Sequence, residues 1–123
     1  MKQTTLEVFQ KKHIIFQSEK KWLYPIFDLE DFLKANPYDH STLHVHDKVV
    51  GKAAALLMIR LGVGSVHGEV MSKLADEVFT KADMKHSYDL LVERIDCQTE
   101  EILLHIDDAN TAYEILCKRA KRY

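Results

Sequence analysis

The chain has 123 residues, of which 46% are hydrophobic and 29% are charged, and its formal net charge is −2. This length and composition predict one globular domain over residues 1–123, with a core large enough to need no disulfide staples. The charge excludes the overall basic field that attracts phosphate backbones, so we expect no nucleic-acid partner.

The cysteine content and the apolar runs indicate a cytoplasmic protein with no membrane partner. Cys97 and Cys117 are too few for a disulfide framework and are expected to be free thiols in a reducing compartment. The residues Met1–Thr5 lack the apolar segment of a signal peptide. The longest apolar run, Ala53–Ile59, is too short to span a bilayer.

The first third of the chain predicts a β-hairpin and then a helix. Alternating residues predict a strand over Thr4–Gln10, and Ile14–Phe16 resumes as a second strand after a polar turn. Pro25 can open a helix, because its fixed φ suits the first helical position. Apolar residues then recur at helical spacing until Asn36-Pro37 stops the helix.

The remaining chain alternates between strands and helices. The predicted elements are a third strand at Ser41–His46, a buried helix at Val49–Leu61 with Asp47 as its N-cap, a fourth strand at Val63–Val70, a helix from Ser72, a short fifth strand at Met84–His86, and a closing helix capped by Asp107-Asp108. The stretches Tyr88–Ile95 and Thr99–Ile106 fit no single pattern.

This order predicts an α/β fold in which an opening β-hairpin is followed by mostly parallel strands alternating with helices. We expect a layered sheet with helices on both faces. In such sheets ligands bind at the carboxyl ends of the strands, against helix N-termini. Two segments meet this condition, residues 46–52 and residues 70–72.

Part of the second helix carries a family resemblance. The run Asp47-Lys48-Val49-Val50-Gly51-Lys52-Ala53-Ala54-Ala55 resembles the signature of domain-of-unknown-function family eighteen-ninety-three. Ser72, the stretch Tyr88–Val92, the closing helix and Cys97-Gln98-Thr99-Glu100 support the resemblance, the last with Gln98 in place of the family's proline. The resemblance implies a bacterial or archaeal three-layer α/β/α domain with a cytidine-deaminase-like fold and no established activity.

The same resemblance implies that zinc-dependent deamination is absent. Zinc deaminases hold the metal through a His or Cys followed by a catalytic Glu, and through a Cys-x-x-Cys pair at the next helix. In this chain, Val50-Gly51-Lys52 stands where zinc deaminases have the His or Cys and the catalytic Glu. Ser72–Ala75 stands where they have the Cys-x-x-Cys pair. Val50 and Ala75 cannot hold zinc, and no Cys-x-x-Cys occurs in the chain. We therefore expect no metal cofactor.

The Gly51-Lys52 pair invites comparison with a phosphate-binding loop. His46 replaces the first glycine of that motif and Ala53 replaces its hydroxyl, so the full motif is excluded. Amides at a helix start together with Lys52 can still bind one anionic group. The plainer interpretation is that Gly51 permits close packing and that Lys52 forms a structural ion pair.

Two further groups of residues have a functional and a plainer interpretation. His44 and His46 share one face of a strand and are a candidate metal pair, but the plainer interpretation is polar histidines near a sheet end. Cys97 is a candidate reactive thiol, although a free cysteine is more often a small buried hydrophobe. Trp22 can stack on a flat ligand or anchor its loop to the core.

The function that these residues predict is binding of a small anionic or nucleotide-like ligand at the helix N-termini, with no cofactor. Lys52 would contact the anion, Gly51 would allow backbone approach, and Asp47 and Ser72 would cap the two helices. The predicted site is completed by Val50 and Cys97. The alternatives are a protein-interaction or homodimerisation module with a vestigial pocket, and a cysteine-dependent enzyme that uses Cys97.

Overall fold

A computed structural model describes residues 4–95 and 98–121 of the chain. It contains five strands, β1 (Leu6–Gln10), β2 (His13–Ser18), β3 (Leu43–Val50), β4 (Ser65–Ser72) and β5 (Lys85–Val92). The helices are α1 (Tyr24–Ala35), α2 (Lys52–Leu61), α3 (Lys73–Lys81), α4 (Gln98–Ile102) and α5 (Ala109–Arg119). The predicted hairpin, α1, α2 and α3 are all present, and β3 and β5 extend further than the sequence patterns predict.

The five strands form one mixed sheet in the order β2-β1-β3-β4-β5. The opening hairpin is confirmed, since β1 pairs antiparallel with β2. However, β1 is also antiparallel to β3, whereas β3, β4 and β5 are mutually parallel. The expectation of a mostly parallel sheet is therefore wrong, because the first strand runs against both of its neighbours.

The described helices lie on one face of the sheet. The helices α1, α3, α4 and α5 each contact α2, and Val8, Val45 and Val66 are fully buried beneath this layer. On the opposite face, His46 and His67 are only partly buried. Within residues 4–95 and 98–121 no helix covers that face, which departs from the predicted three-layer arrangement. Parallel strands are usually covered on both faces, but here polar side chains of β3 and β4, among them His46 and His67, allow this face to contact water.

Helix α2 is the centre of the helical layer. Every residue from Lys52 to Met58 is buried, and the three alanines at 53–55 let neighbouring elements approach closely. The helix ends at Gly62, whose φ of 74° is the left-handed conformation that glycine adopts most easily, and whose N–H donates to Met58 and Ile59 carbonyls. None of the described helices is long and apolar enough to cross a membrane.

A polar cluster joins α1, α2 and α5 at the edge of the core. The buried Glu30 carboxylate forms an ion pair with Arg60 and accepts a 2.8 Å hydrogen bond from the Tyr113 hydroxyl. The Arg60 guanidinium lies 3.4 Å from the centroid of the Tyr113 ring. Burial, with Glu30 as a further cause, raises the pKa of Tyr113 above its usual range. The cluster fixes the position of α5, because its partners come from three helices.

Tyr113→Phe is expected to lower the free energy of unfolding by about 1.5–3 kcal/mol, which is the typical net value of a hydrogen bond to a charged group. The ring under Arg60 is retained, so the loss reports on the hydroxyl alone. Urea denaturation of both proteins measures it. Tyr24→Phe is the matched control, since Tyr24 is 44% exposed. An equal loss in both variants would show that the Tyr113 hydroxyl contributes nothing specific.

Candidate functional site

Two helix N-termini meet at the carboxyl ends of neighbouring strands. Val50 at the end of β3 pairs with Met71 near the end of β4, and α2 and α3 begin at Lys52 and Lys73. Helix N-termini carry unpaired N–H groups and a partial positive charge. This is the region in which the sequence predicts a ligand, and it has the electrostatic character of an anion site.

A carboxylate of the chain itself, that of Glu100, occupies this position. Its Oε2 atom accepts hydrogen bonds from the Lys52 backbone N–H at 2.8 Å and from the Ser72 hydroxyl at 2.7 Å. Its Oε1 atom accepts from the Ile95 backbone N–H at 3.1 Å. Glu100 is only 2% exposed. Its buried charge is thus balanced by the donors of two helix starts and of one loop.

Gly51 is the residue that lets this carboxylate approach. A Cβ atom at position 51 would lie 3.0 Å from Oε2 of Glu100, which is closer than ordinary van der Waals contact. Gly51 is also the N-cap of α2, and it supplies no side-chain cap. The sequence predicts that Gly51 lets a ligand come close to the backbone. The group that comes close is instead the Glu100 carboxylate of the same chain.

Lys52 lies at the site, but its ammonium group is already engaged. Its side chain is 2% exposed, and Nζ lies 2.8 Å from Oδ1 of Asp107 and donates to the Leu104 carbonyl at 3.1 Å. The hydrogen bond from the Lys52 ammonium to the Asp107 carboxylate, together with the ammonium charge, holds the pKa of Asp107 below its usual range. The geometry matches the plainer interpretation, in which Lys52 forms a structural ion pair.

Ser72 and Asp47 differ in how far they fill their predicted capping roles. Ser72 is the N-cap of α3, and its hydroxyl oxygen accepts from the Ala75 N–H at 3.1 Å. The cap predicted at Asp47 is wrong, because β3 continues to Val50 and places Asp47 within the strand. Its side chain points into the core, opposite Leu6 of β1. Burial raises the pKa of Asp47 to about 7.

Val50 and Cys97 are the remaining members of the predicted site. Val50 is fully buried in the core and does not line the cavity described below. Cys97 lies outside the described residues. The structure therefore brings together Gly51, Lys52 and Ser72 and adds Glu100, which the sequence analysis names only as part of the element that supports the family resemblance.

A cavity of about 190 Å³ opens beside the start of α2. Most of its wall is apolar, and the polar groups come from the Gly51–Lys52 helix start, Thr99 and Glu100. The other lining residues are Trp22, Leu23, Val49, Ala53, Ala54 and Ile95. A pocket with apolar walls and a few convergent polar groups is the usual form of a small-molecule site.

Trp22 lies at the rim of this cavity in an unusual backbone conformation. Its φ is 60°, a left-handed value that a bulky residue adopts only when its surroundings enforce it. Trp22 is 38% exposed as a residue, and its indole packs edge-on against Tyr24, with ring centroids 5.2 Å apart. Trp22 therefore presents part of a flat aromatic surface at the cavity mouth, while Leu23 beside it is buried.

The candidate metal pair lies elsewhere, on the open face of the sheet. The Nδ1 atom of His44 is 2.6 Å from the Ser65 hydroxyl, and Nε2 of His46 is 3.3 Å from Glu69. Desolvation, followed by the charges of nearby histidines and Lys85, lowers the pKa of His44. Across residues 4–95 and 98–121, no three His, Cys, Asp or Glu side chains are close enough to share a metal ion.

Comparison with known proteins supports the resemblance seen in the sequence. Residues 1–119 match the family described as TM1506, domain of unknown function (DUF1893). A crystal structure of a DUF1893 family protein from Thermotoga maritima, determined at 2.70 Å resolution, is similar to this chain with a TM-score of 0.84 and 25% sequence identity. The similarity covers 94% of this chain and 80% of the other. No curated protein matches. The chain thus belongs to the DUF1893 family of domains of unknown function.

Proposed function

We propose that this domain binds a small, neutral, planar ligand of the nucleobase or nucleoside class in the cavity beside the start of α2. The observation that carries the proposal is the combination of apolar walls, an exposed tryptophan at the rim and a carboxylate at the inner wall. The cavity volume of about 190 Å³ is below the roughly 300–1,000 Å³ of drug-sized pockets, so it suits a single ring system.

The charges around the cavity favour a neutral ligand over the anion that the sequence suggests. The Lys52 ammonium is paired with Asp107, and the N–H group at the start of α2 is bonded to Glu100. An added anion would lie near the Glu100 carboxylate and would find no uncommitted lysine at this position. A neutral ring avoids that repulsion, and it can stack on Trp22.

The position of the cavity in the fold also supports ligand binding. It lies where β3 ends and α2 begins, and open α/β sheets hold their ligands in crevices at the carboxyl ends of strands. A cytidine-deaminase-like ancestry, with the second helical layer absent from the described residues, and the cytoplasmic location implied by the sequence are part of the same proposal. A deaminase-like ancestry would account for a base-sized cavity that has no metal-ligand motif.

The fluorescence of Trp22 provides a direct test, because Trp22 is the only tryptophan in the sequence. We expect saturable changes in its emission when nucleobases or nucleosides are titrated, and a matching rise in melting temperature. Val49→Phe should weaken binding about tenfold or more, since a bulkier side chain at the rim narrows the cavity, a change in binding free energy of about 1.4 kcal/mol. Ile14→Phe is the matched control, because Ile14 has similar exposure and lies on β2, away from the cavity.

Nucleoside monophosphates distinguish this proposal from the anionic alternative. If the cavity takes a neutral ring, the phosphate should give no gain in affinity and Lys52→Ala should act only through stability. A phosphate-dependent gain that Lys52→Ala abolishes would restore the anion-binding prediction. Unchanged Trp22 emission and melting temperature with every nucleobase and nucleoside would contradict the proposal.

A further inference from the structure

One edge of the sheet is an unpaired strand. β5 is the outermost strand, and it pairs with β4 along its whole length from Lys85 to Val92. Among residues 4–95 and 98–121, no other strand pairs with its outer side. The strand is eight residues long and contains no proline, and Tyr88 and Leu90 are 41% and 56% exposed. Its outer N–H and C=O groups are therefore available to another strand.

The opposite edge strand differs from β5. β2 has six residues, and its pairing with β1 is interrupted by a register shift between Val8 and Phe9. Such bulges twist an edge and discourage pairing with another chain, and proteins commonly protect exposed edges in this way or with proline. β5 has neither a bulge nor a proline, and its two charged residues, Lys85 and Asp89, are of opposite sign, so they can attract a second copy of the strand instead of repelling it.

We propose that β5 pairs antiparallel with β5 of a second copy of this chain, about a two-fold axis at Ser87. Charge complementarity determines the register. Centred on Ser87, the pairing places Lys85 opposite Asp89 of the partner subunit, and the symmetry repeats this ion pair at the other end. Centring on Asp89 would place two carboxylates opposite each other, which is unfavourable.

The side chains of the two faces fit this arrangement. Lys85, Ser87 and Asp89 alternate onto one face of the strand, which is the face of His67, since His67 contacts both Ser87 and Asp89. On the other face, Tyr88 comes opposite His86 of the partner subunit. The exposed ring of Tyr88 thus gains an aromatic neighbour, and pairs of this type stabilise antiparallel strands.

Sedimentation of the purified full-length chain tests the pairing. We expect concentration-dependent dimerisation towards twice the mass of one 14.3 kDa chain. Lys85→Asp should raise the dissociation constant about tenfold or more, because it sets carboxylates opposite each other at both ends of the interface. Asp89→Lys should also raise the dissociation constant about tenfold or more, because it sets two ammonium groups opposite each other at each end of the interface. Lys12→Asp, a charge reversal in the exposed hairpin turn, is the matched control.

Mixing the two reversed variants gives the decisive result. Together, Lys85→Asp chains and Asp89→Lys chains would form two opposite-charge pairs, so a heterodimer should appear although each variant alone is monomeric. The double variant should likewise dimerise with itself. A wild-type chain that stays monomeric up to roughly 1 mM, or a dimer that neither reversal weakens, would overturn the proposal. These readouts report mass alone, so they are independent of ligand binding in the cavity.

Discussion

Glu100→Ala is expected to lower the free energy of unfolding by about 3–5 kcal/mol, the largest effect of any single substitution considered for this domain. The Glu100 carboxylate accepts from the Lys52 and Ile95 backbone N–H groups and from the Ser72 hydroxyl. Alanine would leave these donors unpaired at a site that is almost fully buried. A loss of this size corresponds to a fall in melting temperature of roughly 10–20 °C, which calorimetry measures directly.

Two companion variants separate the carboxylate from general effects on α4. Glu100→Gln retains the shape of the side chain and one acceptor oxygen, so we expect a smaller loss of about 1–2 kcal/mol. Glu101→Ala removes an exposed acidic side chain from the same helix and should change stability by less than about 0.5 kcal/mol. Equal losses in Glu100→Ala and Glu101→Ala would mean that the buried hydrogen bonds do not hold the two helix starts together.

Asp47→Asn is expected to stabilise the protein at pH 8. Burial is the main cause of the raised pKa of about 7, and the charge of Glu69 adds to it, whereas hydrogen bonds from the Lys48 and Val49 N–H groups oppose it. A folded-state pKa above the unfolded value of 3.8 gives stability that is fully present below about pH 4 and is lost as the pH rises to about 7. At pH 8 the folded protein thus carries a charge that burial disfavours, at a cost of roughly 4 kcal/mol.

Asparagine removes that charge, but it adds an amide group that needs a partner in the core. We therefore expect a net gain of about 2 kcal/mol at pH 8, and a gain that shrinks steadily as the pH is lowered to 4. Urea denaturation over pH 4–8 measures this dependence. Glu77→Gln, at an exposed position of α3, is the control and should give no such trend. A gain from Asp47→Asn that is the same at pH 4 and pH 8 would exclude the buried-carboxylate explanation.

The hydrogen-bond partners of Glu100 and Lys52 determine what kind of ligand the candidate site can bind. The start of α2 has the electrostatic character of an anion site, and the Glu100 carboxylate already occupies it by accepting a hydrogen bond from the Lys52 N–H. The Lys52 ammonium is likewise satisfied within the chain, by Asp107 and the Leu104 carbonyl. What is left open is a small apolar cavity bordered by Trp22. For this reason the proposed ligand is neutral, although the sequence pattern alone favours an anion.

The sequence alone determines several local features of this protein. The alternating residues of Thr4–Gln10 and the apolar run Ile14–Phe16 form the predicted hairpin. The first strand shows the period of two of a strand with one buried face, since Leu6 and Val8 are buried. Pro25 opens α1, Gly62 ends α2, Ser72 caps α3 and Asp108 caps α5, since each acts on backbone groups within a few residues of itself. The run from Asp47 to Ala55 likewise indicates the family, whose match extends over residues 1–119.

The tertiary structure decides what depends on partners that are distant in sequence. β3 continues through Asp47, so a residue with a good capping side chain becomes a buried strand residue opposite Leu6. β5 runs to Val92 because it pairs with β4, although its own residues show no clear alternation of burial. Glu100 meets the Lys52 N–H across 48 positions of the chain. Local sequence patterns show the helix or strand propensity of a segment and the spacing of its apolar residues. The contacts named above form only when the sheet and the helical layer bring remote segments together.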